Sequence, residues 1–88
     1  MATVPASAAE ESTGWLTYSW SPYLNGCGMI SYLYSNGAET SDAGCSGDVG
    51  EKIKYTSGGT TWISGLYYGA NYIWVGHANT TAYRVFHK

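Results

Sequence analysis

Two cysteines are the residues of this chain whose spacing most directly predicts a chemical bond. Cys27 and Cys45 lie at equal sequence distances from the segment Ser35-Asn36-Gly37. This segment has the composition of a three-residue hairpin loop, with glycine where a left-handed backbone is needed. Such a loop pairs Tyr34 with Ala38, and the antiparallel ladder then places Cys27 opposite Cys45. The spacing therefore predicts a cross-strand disulfide and, with it, an oxidising compartment.

Other residue types that could do chemistry are sparse and scattered. Only 11% of the residues are charged. The two histidines, His77 and His87, have no obvious partners in the sequence for a zinc site, and the stretch from Asp42 to Asp48 lacks the ligand spacing of an EF-hand calcium loop. Pairing of both cysteines leaves no free thiolate as a nucleophile. We therefore predict no enzymatic activity, no metal site and no cofactor.

The charge balance also restricts the partners. The chain has four Lys and Arg residues against six Asp and Glu, for a net charge of −2. A chain without a basic stripe is a poor ligand for nucleic acid, and no apolar run is long enough to span a membrane. We expect a monomer that binds an extracellular protein or a cell-envelope component.

Aromatic residues are the most abundant candidates for binding. Nine Tyr and four Trp exceed what the core of so short a chain can enclose, and exposed Tyr and Trp are the residue types most enriched at binding hot spots. Aromatic surfaces of low charge suit protein or sugar ligands. The predicted binding residues flank Pro22 or the turn after residue 68, and they are Trp20, Tyr23, Tyr67, Tyr68 and Tyr72.

The segments that carry these residues are predicted to be β-strands. Aromatic and β-branched runs are separated by twelve glycines, a pattern typical of short strands and tight turns. The sequence predicts an all-β fold, a small antiparallel β-sandwich or compact barrel of six to seven short strands with one disulfide. Trp15 to Trp20 is one predicted strand, with Leu16, Tyr18 and Trp20 on one face, and 21–26 is predicted as a loop.

Two later segments give more specific expectations. Val49 to Tyr55 alternates, with Lys52 and Lys54 facing solvent. Glu51 interrupts the apolar face of this segment, which predicts an exposed edge. Tyr72 to Val75 is apolar on both faces, which is typical of a central strand.

The first residues predict export. Ala6-Ser7-Ala8 has the small-x-small form of a signal-peptidase site. Residues 1–13 are predicted as a disordered leader, the tail of a signal peptide, and 14–88 as a single sandwich domain. Together with the paired cysteines, this leader predicts a secreted protein.

Several short motifs resemble a known inhibitor family. The runs Tyr18-Ser19-Trp20 and Asn25-Gly26-Cys27, and Cys45 followed by Gly50 and Ile53, are similar to the tendamistat family of secreted actinobacterial α-amylase inhibitors. The resemblance implies a six-stranded sandwich that blocks an enzyme cleft with an exposed Trp-Arg-Tyr triplet. Here Ser21-Pro22 stands between Trp20 and Tyr23, so the arginine is missing. The resemblance predicts a protruding aromatic loop from Trp20 to Tyr23.

A second set of motifs resembles the lactococcin-972 family of secreted bacteriocins. Gly14-Trp15 with Tyr18, the central Tyr34-Ser35-Asn36, and Trp62 followed by Asn79 and by Ala82-Tyr83-Arg84 carry the resemblance in the same order. It implies two packed antiparallel sheets and binding of the cell-wall precursor lipid II.

The function predicted from the sequence is that of a secreted, non-enzymatic binding protein that acts through exposed aromatics. Inhibition of an extracellular hydrolase is the first hypothesis. An antibacterial, bacteriocin-like protein that targets the cell envelope is the second. A structural or adhesive envelope protein is the third, since Tyr and Gly richness suits it equally.

Overall fold

The computed structural model describes residues 10–88, and this part of the chain consists of β-strands and the turns between them. The strands are β1 (Glu11–Ser12), β2 (Tyr23–Leu24), β3 (Cys27–Tyr34), β4 (Gly37–Asp42), β5 (Val49–Ser57), β6 (Thr60–Ile63), β7 (Tyr67–Gly69), β8 (Tyr72–Gly76) and β9 (Thr80–His87). They form two antiparallel sheets. The predicted all-β fold is confirmed, and two strands of only two residues each, β1 and β2, raise the number of strands to nine.

The first sheet has five strands and is centred on β5. β9 pairs along one side of β5, while β6 and β7 share its other side. β1 pairs with the far side of β9. Because β5 has neighbours on both sides, Glu51 does not mark an exposed edge, and the prediction for this residue is wrong. Glu51 lies near the middle of the sheet and is fully buried.

The second sheet has four strands in the order β2-β3-β4-β8. The predicted central strand from Tyr72 to Val75 is therefore wrong, since β8 lies at the edge of this sheet. Val75 on its inner side is buried in the core, whereas Tyr72 and Trp74 are exposed on its outer side. The strand is apolar on both faces because its outward residues are exposed aromatics.

The β3–β4 hairpin differs from the sequence prediction by one residue in register. Tyr34 pairs with Gly37, so the loop is the two-residue Ser35-Asn36. A shift of one residue moves every β4 side chain to the opposite face, and Ala38 is thereby fully buried in the core. A Cβ at Gly37 would lie 2.8 Å from the ring of Trp74, so glycine is required for this close approach.

The predicted disulfide is present, although its position in the hairpin differs. The Cα atoms of Cys27 and Cys45 are 6.0 Å apart. β4 ends at Asp42, and Cys45 lies beyond it in the connection to β5, so the bridge is not a cross-strand pair of the two hairpin arms. Cys27 pairs instead with Leu24 of β2. The disulfide ties the beginning of β3 to the loop that leads into β5.

The segment from 14 to 24 crosses from one sheet to the other. Leu16 forms an isolated bridge with Tyr83 of β9, and Trp20 forms one with Ser31 of β3. The predicted strand from Trp15 to Trp20 is therefore two single bridges, and the predicted loop over 21–26 contains β2. Strands that switch between sheets do so through bends or bulges, which explains why only two isolated bridges form over the predicted strand.

The predicted leader, residues 1–13, extends into the described part of the chain. Its last residues are ordered there, since Glu11 and Ser12 pair with β9 and the Thr13 amide donates to the Val85 carbonyl at 2.9 Å. The predicted signal-peptidase site, Ala6-Ser7-Ala8, lies outside the described residues.

The core lies between the two sheets and is built from the inward side chains of both. Its buried apolar members include Leu16, Met29, Ala38, Val49, Ile53, Val75, Tyr83 and Val85. Three polar residues, one each from β3, β4 and β5, are buried among them. The Thr40 hydroxyl donates to Glu51 Oε1 at 2.6 Å, and the Thr40 and Ser31 hydroxyl oxygens are 2.7 Å apart.

Glu51 is the ionisable member of this buried polar group. Burial raises the pKa of its carboxyl to about 8, although the hydrogen bond from Thr40 lowers the pKa in part. The side chain is therefore mostly protonated at neutral pH. Its second oxygen, Oε2, has no hydrogen-bond partner within residues 10–88.

Candidate functional site

The outer face of the four-stranded sheet carries a continuous set of exposed large side chains. Residues along β3 alternate between inward and outward positions, because successive side chains of a strand point to opposite faces. We call this surface the aromatic face. Its members are Tyr23, Ile30, Tyr32, Tyr34, Tyr72 and Trp74, which are 42% to 72% exposed.

One carboxylate lies in the middle of the aromatic face. Glu39 is paired with Tyr32 on one side and with Trp74 on the other. Its two oxygens accept hydrogen bonds from Tyr72 Oη at 2.6 Å and from Tyr34 Oη at 2.8 Å. These bonds hold the pKa of Glu39 below its usual value and raise the pKa of each tyrosine. Glu39 is thus ionised at neutral pH and holds both phenol rings in place.

The indole of Trp74 lies against backbone that two glycines leave open. A Cβ at Gly37 or at Gly76 would lie 2.8 Å from an indole atom. The ring centres of Trp74 and Tyr34 are 6.0 Å apart, and those of Tyr34 and Tyr32 are 6.3 Å apart, within the range of aromatic pairs. The rings support one another, so the face loses little conformational entropy when it binds a partner.

The structure does not gather the five predicted binding residues into one site. Tyr23 and Tyr72 lie on the aromatic face. Trp20 is opposite Ser31, which points into the core, so Trp20 is not on the outer side of the sheet. Tyr67 and Tyr68 belong to β7 in the five-stranded sheet.

The segment predicted as a protruding aromatic loop, Trp20 to Tyr23, follows the edge of β3. The Trp20 amide donates to the Ser31 carbonyl at 3.1 Å, and the Pro22 carbonyl accepts from the Met29 amide at 2.9 Å. Pro22 is itself buried. A groove of about 390 Å³ lies beside this segment and is lined by residues that include Leu16, Tyr18 and Trp20. Trp20 and Tyr23 both line this groove, and Tyr23 also belongs to the aromatic face.

Tyr68 is largely a packing residue. Its ring covers Gly50 of β5, where a Cβ would lie 2.7 Å from the ring. Its hydroxyl donates a hydrogen bond to Glu10. Burial and this hydrogen bond raise the pKa of Tyr68 to about 12. The ring closes the end of the sheet and is only half-exposed.

The outer face of the five-stranded sheet collects every lysine and arginine of the chain. Lys52 of β5 lies directly opposite Arg84 of β9 in the strand register, and Lys54 Nζ lies 4.4 Å from the centre of the Trp15 ring. In residues 10–88, none of these cations forms an ion pair with a carboxylate. We call this surface the cationic face. Its cations are Lys52, Lys54, Arg84 and Lys88, which lie over the rings of Trp15, Tyr68 and Phe86.

Sequence reasoning missed four members of the aromatic face, namely Ile30, Tyr32, Tyr34 and Trp74. The outward side of β3 is as apolar as its inward side, so hydrophobicity does not reveal which side is the core. The disulfide does carry that information. A buried Cys27 places residues 29, 31 and 33 inward with it and the even-numbered residues outward.

The chain matches no protein-family model, no curated protein and no solved structure. The resemblances to the tendamistat and lactococcin-972 families therefore stay predictions. No helix that is long and apolar enough to cross a membrane is found in residues 10–88.

Proposed function

We propose that this chain is a secreted, non-enzymatic binding protein whose aromatic face occupies an extracellular hydrolase and inhibits it. The observation that carries the proposal is the aromatic face, six large apolar side chains exposed together on one sheet. Exposed apolar surface of this kind marks interaction sites, and Tyr and Trp supply much of the energy at such sites.

The rigidity of the aromatic face supports an inhibitor. Protease inhibitors bind as preformed surfaces whose backbone moves little on complex formation. Here Glu39 fixes Tyr34 and Tyr72 by hydrogen bonds, and Trp74 is held against glycine backbone. The disulfide supports export to a compartment where secreted hydrolases are found.

Trp74→Ala and Tyr32→Ala are the variants that test the aromatic face. Each should weaken inhibition of the target hydrolase by about 2 kcal/mol or more, because both aromatic side chains flank Glu39 in the middle of the face and aromatic residues of this kind are the usual hot spots. The measurement is the inhibition constant of the oxidised protein, first for a panel of secreted glycosidases and proteases and then for each variant against the hydrolase that is inhibited.

Trp62→Ala is the matched control for these variants. Trp62 is 52% exposed but lies on β6 of the other sheet, so its loss should leave the inhibition constant unchanged. Equal losses for Trp62 and Trp74 would contradict the assignment to the aromatic face. A loss confined to Trp20→Ala would move the binding surface to the groove beside β3. If no hydrolase in the panel is inhibited, the inhibitor proposal fails.

The cationic face favours a second candidate, an antibacterial protein that targets the cell envelope. Lys52, Lys54 and Arg84 are close together and free of carboxylate partners in the described part of the chain. Phosphate groups of envelope components such as lipid II have the complementary charge.

Lys52→Gln with Lys54→Gln tests this second candidate. Each cation near an anionic surface is worth about 1 kcal/mol, so the double variant should lose roughly 30-fold in affinity for vesicles that contain lipid II. Growth inhibition of Gram-positive cells should fall in parallel and should be antagonised by added lipid II. Trp74→Ala is the control, and activity that depends on Trp74 but not on the two lysines would exclude this candidate.

A further inference from the structure

Four side chains with metal-binding chemistry meet at the disulfide end of the sandwich. Cys27 begins β3, Asp42 ends β4, Cys45 lies in the following loop and His87 ends β9. The sulfur atoms of both cysteines and a carboxylate oxygen of Asp42 lie within 4.8 Å of one another. His87 lies just outside this group of three, with its Nε2 3.7 Å from Asp42 Oδ2. The fold thus supplies the partners for His87 that the sequence pattern did not reveal.

The polar atoms that face this cluster are buried and have no hydrogen-bond partners in residues 10–88. They are Asp42 Oδ2 and both ring nitrogens of His87, and the His87 side chain is only 3% exposed. Buried polar atoms are nearly always hydrogen-bonded, so unpaired ones call for an explanation such as a bound ion. A salt bridge at 3.7 Å satisfies them only partly.

Asp42 is oriented as a metal ligand would be. Its other oxygen, Oδ1, accepts hydrogen bonds from the Asn71 side-chain amide at 2.8 Å and from the Gly44 backbone amide at 2.9 Å. These two donors hold the carboxylate so that Oδ2 points at His87. Hydrogen bonds of this kind to the non-ligating atoms are characteristic of metal sites.

We propose that Cys27, Asp42, Cys45 and His87 form a zinc site in the reduced chain. Two thiolates, one carboxylate and one imidazole are zinc ligands, and four of them make a closed tetrahedral site. Zinc–ligand bonds of about 2.0–2.3 Å place neighbouring ligand atoms about 3.3–3.8 Å apart. The separation of 3.7 Å between His87 and Asp42 fits this geometry, whereas the His87 ring and the two sulfurs have to approach one another after the disulfide is reduced.

The zinc site and the disulfide exclude each other chemically. A dithiol reductant delivers two electrons and two protons to the S–S bond, giving two thiols while the reductant becomes a disulfide. Zn²⁺ then binds both sulfurs as thiolates, and two protons pass to solvent. The same loop is thus held to β3 by a covalent bond in the oxidised chain and by a metal in the reduced chain.

Metal binding by the reduced protein tests the proposal directly. The full-length chain is reduced with a phosphine, cleared of metal, and titrated with Co²⁺, whose thiolate complexes are coloured, and then with Zn²⁺ in competition. We expect tetrahedral cobalt spectra with sulfur charge-transfer bands, one equivalent of metal, and binding at least about 100-fold tighter than to the oxidised chain. We expect this ratio because losing even one residue that hydrogen-bonds to a metal ligand lowers metal affinity about 10- to 100-fold, and the oxidised chain lacks two of the ligands themselves.

Asp42→Asn and His87→Ala are the ligand variants, and Asp48→Asn and His77→Ala are their matched controls. Each variant is first checked for folding in its oxidised form, where the disulfide holds the loop. The ligand variants should lose more than about 10-fold in zinc affinity, and Asn71→Ala should lose about 10-fold. The controls should bind zinc like the unaltered chain.

Three results would overturn the proposal. One is a reduced chain that binds cobalt no more tightly than the oxidised chain. Another is equal affinity in the ligand variants and the controls. The third is a reduced chain that is unfolded and does not regain its near-ultraviolet circular dichroism when zinc is added.

Discussion

Replacing Glu51 with glutamine is expected to stabilise the fold at neutral and alkaline pH and to remove most of the decline in stability as the pH rises. The folded-state pKa of Glu51 is raised from 4.5 to about 8, first of all by burial. A carboxyl with a raised pKa contributes stability that is fully present below pH 4.5 and is lost as the pH rises to about 8. The loss is on the order of 5 kcal/mol, at about 1.4 kcal/mol per pH unit.

Glutamine resembles the protonated carboxyl and can still accept the hydrogen bond from Thr40, but it cannot ionise. The measurement is the free energy of unfolding in urea at pH 5, 7 and 9 for both proteins. Glu39→Gln is the control, since Glu39 is already ionised when folded and its lowered pKa gives an effect of the opposite sign. Parallel stability curves for the unaltered protein and Glu51→Gln would show that Glu51 is not the titrating group.

Removing the disulfide with Cys27→Ala and Cys45→Ala should cost about 3 kcal/mol. The two cysteines are 18 residues apart in sequence, and closing a loop of about that length restricts the unfolded chain by that amount. The free energy of unfolding is measured in the presence of a chelator, so that no metal replaces the missing bond.

The unaltered protein, with its disulfide reduced and the same chelator present, should lose about the same stability as the double variant. A double variant as stable as the oxidised protein would mean that the loop from 43 to 48 is held without the bridge. A much larger loss than in the reduced protein would indicate that alanine disturbs the packing around Cys27, which is 1% exposed.

The fold class and the disulfide could be predicted from the sequence because both depend on local patterns. Alternating aromatic and β-branched runs indicate strands, and the spacing of the cysteines around Ser35-Asn36-Gly37 indicates a hairpin. The predicted register of this hairpin was wrong because two loop lengths fit the same residues. In the observed register Trp74 packs over Gly37, a contact between residues far apart in the chain that the hairpin sequence alone does not show.

Glu51 could not be placed from its own strand. Within Val49 to Tyr55 a charged residue on the apolar side predicts exposure, and only the position of β5 between β9, β6 and β7 shows that the residue is buried. Its hydrogen-bond partner, Thr40, comes from the other sheet. Pairings between distant segments are not encoded in the period of a single strand.

The candidate surfaces could likewise be predicted only in part from the sequence. Tyr23 and Tyr72 could be chosen from their residue type and neighbouring turns, but the aromatic face required the order β2-β3-β4-β8. Lys52 and Lys54 face outward as the alternation predicts, whereas Arg84 joins them only through the pairing of β5 with β9.

The placement of every lysine and arginine on one outer face has a consequence for how the molecule approaches a charged surface. The sheets of a sandwich are stacked about 10 Å apart, so the cationic face and Glu39 lie on opposite sides of a thin body. This separation contributes a dipole moment directed across the sheets. The field of an anionic surface exerts a torque on such a dipole before contact. This torque turns the cationic face toward the surface and the aromatic face toward solvent, where the aromatic face stays accessible to a second molecule.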